Sequence, residues 1–166
     1  MTAMQTKALA WLSLLAVVSL ASGCGFHLQG SGSLPEGMRK FYVITADQVT
    51  PFAVELRRAI ERSGGQLTNT SAEADTVVRI QRDRSGRRVL SVSARNTPQE
   101  YEIFYLVEYS VDRGGKEVLE LQPLEVVRNL SFDETQLLAK DREEAIIREA
   151  MARDLAVLVT RRLESL

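Results

Sequence analysis

The sequence is poor in the residues that carry most enzyme chemistry: one cysteine and one histidine in 166 residues. A single cysteine excludes an internal disulfide framework and a cysteine-rich zinc module, and a single histidine leaves little for a metal cluster or an acid–base dyad. No glycine-rich phosphate loop and no Ser/His/Asp ordering is present. A charge excess of either sign is missing as well, with 21 Lys and Arg against 22 Asp and Glu. Nucleic-acid binders usually show a clear basic excess, so that class is disfavoured. The chain is nevertheless 45% apolar, which argues against disorder, and at this length one domain is the default.

The apolar residues are distributed unevenly. Residues 1–23 carry one charge, Lys7, followed by a run from Ala8 to Ala21 that is interrupted only by Ser13 and Ser19 and contains Trp11, the sole tryptophan. Fourteen helical residues at ~1.5 Å each give roughly 21 Å, short of the ~30 Å hydrocarbon core. The run therefore reads as a secretory signal rather than a membrane span. Ala21-Ser22-Gly23-Cys24 then sets three small residues before the only cysteine and resembles the bacterial lipobox. That resemblance implies cleavage before Cys24, a diacylglycerol thioether on its sulfur and acylation of the new amino terminus. The acyl chains would hold the protein to a membrane without a spanning helix. Gly25 stands where an aspartate would resemble an inner-membrane retention signal, which implies export to the outer membrane.

The chain from residue 24 onward holds 20 basic and 22 acidic residues, for a net charge of −2. Its first stretch, to residue 37, is rich in Gly and Ser and reads as a tether. Lys40 to Ala46 is a dense β-branched and aromatic run expected to be a buried strand. Thr50-Pro51 opens a helix with a hydroxyl cap and proline at the first position; Phe52, Leu56, Ala59 and Ile60 form its apolar stripe, and Gly64-Gly65 stops it. Thr76 to Ile80 is a second strand, expected to continue through the Arg-rich segment 82–88 into Val89–Ala94, with a turn or bulge at Ser85-Gly86. Tyr101 to Val111 alternates with period two almost without a break. Asp112 to Lys116 signals a hairpin, and Val118 to Leu130 returns as an edge or bulged strand because of Pro123. A final amphipathic helix is expected from about Asp141 to Leu163, with Arg148, Arg153 and Arg161 on its wet face. The fold class is α+β, a two-layer sandwich in the order β-α-β-β-β-α: a mixed or antiparallel sheet of about four strands with two helices on one face.

Several motifs in this order resemble one family. Cys24-Gly-Phe-His-Leu, the strand from Phe41 to Ala46, Arg95-Asn96 before Glu100-Tyr101-Glu102, and Leu138-Ala-Lys-Asp141 leading into Glu144-Ala-Ile-Ile-Arg-Glu149 are together similar to the LPS-assembly lipoprotein LptE family. The resemblance divides the chain into a signal peptide over 1–23, a lipidated tether over 24–37 and one domain over 38–166. It implies a protein without enzymatic activity and without a cofactor beyond the covalent lipid on Cys24. It also implies a tight complex with the large outer-membrane β-barrel LptD, in whose lumen the domain sits as a plug. There it would support barrel assembly and the passage of lipopolysaccharide to the outer leaflet. The alternative is a free-standing periplasmic lipid carrier.

Lipopolysaccharide presents phosphates beside acyl chains, so a contact site should combine cationic and apolar groups. Arg95, directly after a strand, and Lys140, immediately before the last helix, are the leading candidates. Arg82, Arg84, Arg87 and Arg88 form a third, expected first of all to be a solvated hairpin tip paired with Asp83. His27 reads as a tether residue, Asp141, Glu143 and Glu144 as capping charges at a helix start, and Tyr101, Tyr105 and Tyr109 as core. No catalytic or metal-binding set emerges.

Overall fold

Strand β1, Lys40–Ile44, puts Phe41 and Val43 on one face, both buried. Helix α1, Pro51–Arg62, follows after six residues and buries Phe52, Ala53, Leu56, Ala59 and Ile60, the stripe its spacing predicts. Its ends form as the sequence implies. The Thr50 hydroxyl accepts from the Ala53 N–H at 3.2 Å. Beyond Ser63, Gly64 takes φ +86°, while Gly65 N–H donates to Ile60 O and Gly64 N–H to Glu61 O, closing the helix as a Schellman motif. The computed structural model describes residues 34–35, 37–131 and 137–166. They belong to a compact unit, Gly32–Leu166; a preceding unit, Met1–Ser31, lies outside them.

The remaining elements are a two-residue strand β2, Gln66–Leu67; a short 3-10 turn, Ser71–Glu73; long strands β3, Thr76–Val92, β4, Pro98–Arg113, and β5, Lys116–Ser131; and helix α2, Leu137–Glu164. The sheet order is β2-β1-β3-β4-β5, with β1 parallel to both neighbours and the other pairs antiparallel. The sheet is therefore mixed, and the architecture α+β in the expected order. The fifth strand, β2, escapes sequence reading because two residues show no periodicity. It forms because the glycine turn returns the chain beside β1, where Gln66 N–H donates to Arg39 O and Thr68 N–H to Phe41 O.

The core lies between the two helices and one face of the sheet. β4 contributes Ile103, Tyr105, Val107, Tyr109 and Val111, and α2 contributes Met151, Ala152, Leu155, Ala156, Val159 and Leu163. Tyr105 and Tyr109 are core, as expected, and Tyr101 is half-buried. Leu34, in the segment read as tether, packs against this core next to the buried Met38. Gly114 and Gly115 both take positive φ and make the tight β4–β5 turn, with Arg113 facing Lys116. β5 is an edge strand, in keeping with Pro123 within it.

Two expectations are corrected. Ser85-Gly86 is no turn: β3 runs unbroken through the Arg-rich segment, with Ser85 opposite Tyr105 and Gly86 opposite Phe104. The register shifts fall elsewhere, between Ile80 and Arg82 and beyond Val89. The last helix begins at Leu137 rather than near Asp141, because Leu137-Leu-Ala-Lys is a run of good helix formers with nothing to break it. Lys140 therefore lies inside α2 instead of preceding it. Asp141, Glu143 and Glu144 fall beyond the first turn, which holds no acidic residue.

Candidate functional site

The helix-bearing face of the sheet changes character along β3. Val78 and Ile80 are buried, but the next residues to face the helices, opposite Val107, Tyr105, Ile103 and Tyr101, are Asp83, Ser85, Arg87 and Val89. Asp83 does not pair with the Arg-rich segment. Its Oδ2 accepts from the Thr50 hydroxyl at 2.5 Å, so the hydroxyl that caps α1 is itself fixed from β3. Beside it, the Phe52 N–H donates to the Tyr105 hydroxyl at 3.2 Å. Burial first, then the neighbouring Asp83 carboxylate, pushes the Tyr105 phenol well above its ordinary range, and burial raises Tyr109 likewise. Both phenols are held in the neutral, protonated form by their burial.

The four arginines are not a hairpin tip. Arg82, Arg84 and Arg88 stand on the opposite, helix-free face, across from Glu108, Leu106 and Glu102. Arg82 Nη1 pairs with Glu108 at 2.7 Å, and Arg88 bridges Glu102 at 2.6 Å and Glu125 at 3.0 Å. Further along the same face Arg79 pairs with Asp112 at 2.8 Å. The hydrogen bond to Glu102 is the main reason the Arg88 guanidinium is held above its usual range. Phe104 sits within this charge ladder, with Arg88 and Arg84 over its ring at 4.9 and 5.7 Å from the centroid. Arg87 alone of the four turns to the helix side, where it lies 5.3 Å over the Tyr101 ring and 3.5 Å from Glu144 of α2. Period two already parts Arg87 from Arg82, Arg84 and Arg88; what the sequence hid is the register shift after Ile80, which turns Arg87 rather than its three companions toward the helices.

The true tip of the β3–β4 hairpin is Ser93–Thr97. Ser93 N–H donates to Thr97 O at 2.7 Å, Asn96 takes φ +60°, and the Ser93 Oγ accepts from the Arg95 and Thr97 N–H groups. This turn leaves Arg95 exposed, and the strand leading to it carries the exposed aliphatic residues Val89, Leu90 and Val92. Lys140 falls in the first turn of α2, and its side chain lies outside the described residues, as do Cys24 and His27. No group of metal-ligating side chains occurs among the described residues, and none of their helices is long and apolar enough to cross a membrane.

Comparison with known proteins decides what this arrangement belongs to. Residues 38–163 match the lipopolysaccharide-assembly family LptE. The chain belongs to the LptE family. The LPS-assembly lipoprotein LptE of Pectobacterium atrosepticum is 24% identical over 147 residues, covering 88% of this chain and 79% of its own. The proteins of that name from Yersinia pestis are likewise 24% identical, with 70% of their length covered. Among solved structures, lipoprotein B of Nitrosomonas europaea superposes with a TM-score of 0.71 at 26% identity, covering 85% of this chain and 91% of that one. The rare lipoprotein B of Shewanella oneidensis shares the fold, with a TM-score of 0.67 at 23% identity over 76% of this chain and 95% of that one.

Within this LptE family member, sequence reasoning places Phe104 with Leu106 on the second, partly apolar face of its strand but missed its seat on Gly86, and missed the pairing of Glu144 with Arg148 and Arg87. The second left a trace: Glu144 and Arg148 are four apart, the spacing of neighbours on a helix. Arg148 does not share the wet face with Arg153 and Arg161 as expected, since it is half-buried whereas those two are exposed.

Proposed function

We propose that this protein is a lipoprotein of the outer membrane, anchored through acyl chains on Cys24, whose domain plugs an LptD-like β-barrel. In that place it supports assembly of the barrel and insertion of lipopolysaccharide into the outer leaflet. The observation that carries this reading is the helix-free sheet face, where Arg79 pairs with Asp112, Arg82 with Glu108, and Arg88 with both Glu102 and Glu125. Such a face is polar yet nearly uncharged in sum, the character needed against a polar barrel lumen. The long strands suit the same role. Sixteen or seventeen residues at about 3.3 Å each extend for roughly 50 Å, more than the ~25 Å apolar belt of an outer-membrane barrel. Arg95 at the hairpin tip and Lys140 at the start of α2 are the lipopolysaccharide contacts in this reading.

A free-standing lipid carrier needs an apolar chamber for acyl chains. The space between helices and sheet is instead filled by core side chains, and a depression on α1 is lined by Glu55, Arg58, Glu61 and Arg62, a charged surface unsuited to them. Depletion of the protein in its own cells tests the proposal. Lipopolysaccharide is expected to accumulate inside the envelope while the barrel fails to mature; normal surface lipopolysaccharide after depletion contradicts it.

A further inference from the structure

Among the described residues Glu144 is the one charged residue that is buried, at 6% exposure. It lies two turns into α2, where its Oε1 accepts from Arg148 Nη2 and its Oε2 faces Arg87 Nη1 of β3 at 3.5 Å. The three side chains are layered. The carboxylate is 8% exposed, whereas Arg148 and Arg87 are 36% and 56% exposed, so the anion forms the floor and the two cations form the rim.

The donors also outnumber the acceptors. Two guanidinium groups carry ten N–H bonds, and Glu144 engages one nitrogen of each. Arg148 Nε is buried and has no hydrogen-bond partner among the described residues. Arg87 is held in place from its other side by the Tyr101 ring, 5.3 Å away. Among the described contacts two positive charges meet one negative, and both guanidinium groups stay partly exposed. Planar forks arranged this way fit the tetrahedral oxygens of a phosphate, to which arginine binds in bidentate fashion.

We propose that Arg87 and Arg148 form a phosphate-binding pair whose geometry Glu144 sets and whose affinity its negative charge limits. The bound group is a phosphate monoester, either free or on a lipid headgroup. The headgroup as its source rests on the lipopolysaccharide reading above, whereas the anion site rests on the geometry of these three side chains. Phosphate oxygens at the rim take the outer Nη atoms of both arginines, and a small rotation of Arg148 supplies its Nε–H with the acceptor it lacks. The site is distinct from Arg95, which stands at the hairpin tip beyond the end of β3.

The test uses the full lipoprotein without any barrel partner, so its outcome is independent of whether a barrel is bound. Arginine Nε–Hε resonances are followed by NMR in micelles during titration with inorganic phosphate at constant ionic strength. They are then followed in phosphatidylcholine nanodiscs with and without phosphorylated lipid A. Phosphate should shift the Arg148 and Arg87 signals, and R87A and R148K should each weaken binding by roughly tenfold or more, the worth of one charge-assisted hydrogen bond. E144Q removes the competing charge, retains an acceptor and should bind phosphate more tightly than the parent. Should E144Q fail to fold, R148K decides alone, because it keeps the charge beside Glu144 and loses the fork and the Nε–H. A response to lipid A at these residues identifies a headgroup as the source; a response to inorganic phosphate alone identifies a free one. Unmoved Arg87 and Arg148 signals in both titrations, or unchanged affinity in R87A and R148K, overturns the proposal and leaves a purely structural ion triad.

Discussion

Gly86 provides the floor on which the Phe104 ring lies: a Cβ at residue 86 would stand 2.8 Å from two carbons of that ring. The two residues are register partners on β3 and β4, and Arg84 and Arg88 close over the ring from either side of the glycine. A glycine inside a strand usually weakens it. Here it makes room for an aromatic side chain among the arginines and carboxylates of the helix-free face.

The first prediction follows from that contact. Gly86→Ala should destabilise the domain by about 1–3 kcal/mol, the usual cost of forcing a side chain into occupied space, measured by urea denaturation. In the Gly86→Ala/Phe104→Leu double variant the loss should fall short of the sum of the single losses, since each change relieves the other. Strict additivity would show that ring and glycine are not coupled.

Helix α1 is fixed to the sheet through the Thr50–Asp83 hydrogen bond. Thr50→Ala removes both the cap on Ala53 N–H and one hydrogen-bond partner of Asp83, and should cost about 1–2 kcal/mol, toward the upper end for an N-cap. Thr50→Ser keeps the hydroxyl and should cost much less. Equal losses in the two variants, from denaturation midpoints, would show that the hydroxyl contributes nothing.

Alkaline pH should unfold the domain through its buried phenols. Tyr105 and Tyr109 have folded-state pKa values raised above their ordinary 10, so the native state holds the phenolic protons more tightly than the unfolded chain. The stability this confers is complete below pH 10 and declines as the pH rises above it toward the folded-state values. Tyr105→Phe should therefore flatten the loss of stability above about pH 10, relative to the parent. An unchanged alkaline slope would contradict the burial assigned to this group.

Arg95→Asp at the hairpin tip, combined with Lys140→Asp in the first turn of α2, should weaken lipopolysaccharide binding by the purified lipoprotein. The circular dichroism spectrum and melting temperature should stay near those of the parent, because Arg95 is exposed at a turn. Unchanged binding in the double variant removes these residues from the site.

Much of this architecture is legible because local chemistry and tertiary packing agree. The stripe Phe52, Leu56, Ala59, Ile60 and the alternation from Tyr101 to Val111 each state which side is buried, and the Gly114-Gly115 turn joins its strands as the sequence predicts. Legibility ends where the pattern depends on a partner strand. Ser85-Gly86 looks like a turn locally; only Phe104, brought opposite by β4, turns Gly86 into a packing position. Period two within β3 parts Arg87 from its three companions, but which of the two sides meets the helices depends on the register shift near Ile80, set by pairing with β4. Glu144 resembles a capping charge as long as the helix is taken to start near Asp141, and its partner Arg87 comes from a strand far earlier in the chain.

That this protein works as the plug of a β-barrel is the central claim, and co-purification tests it most directly. The full-length, lipid-modified protein is extracted from its own outer membranes in mild detergent and isolated through a C-terminal tag. A stable complex with one large β-barrel protein, present in equal amount, is the predicted result. A protein recovered as a monomer, with lipid alone or with nothing bound, would contradict it.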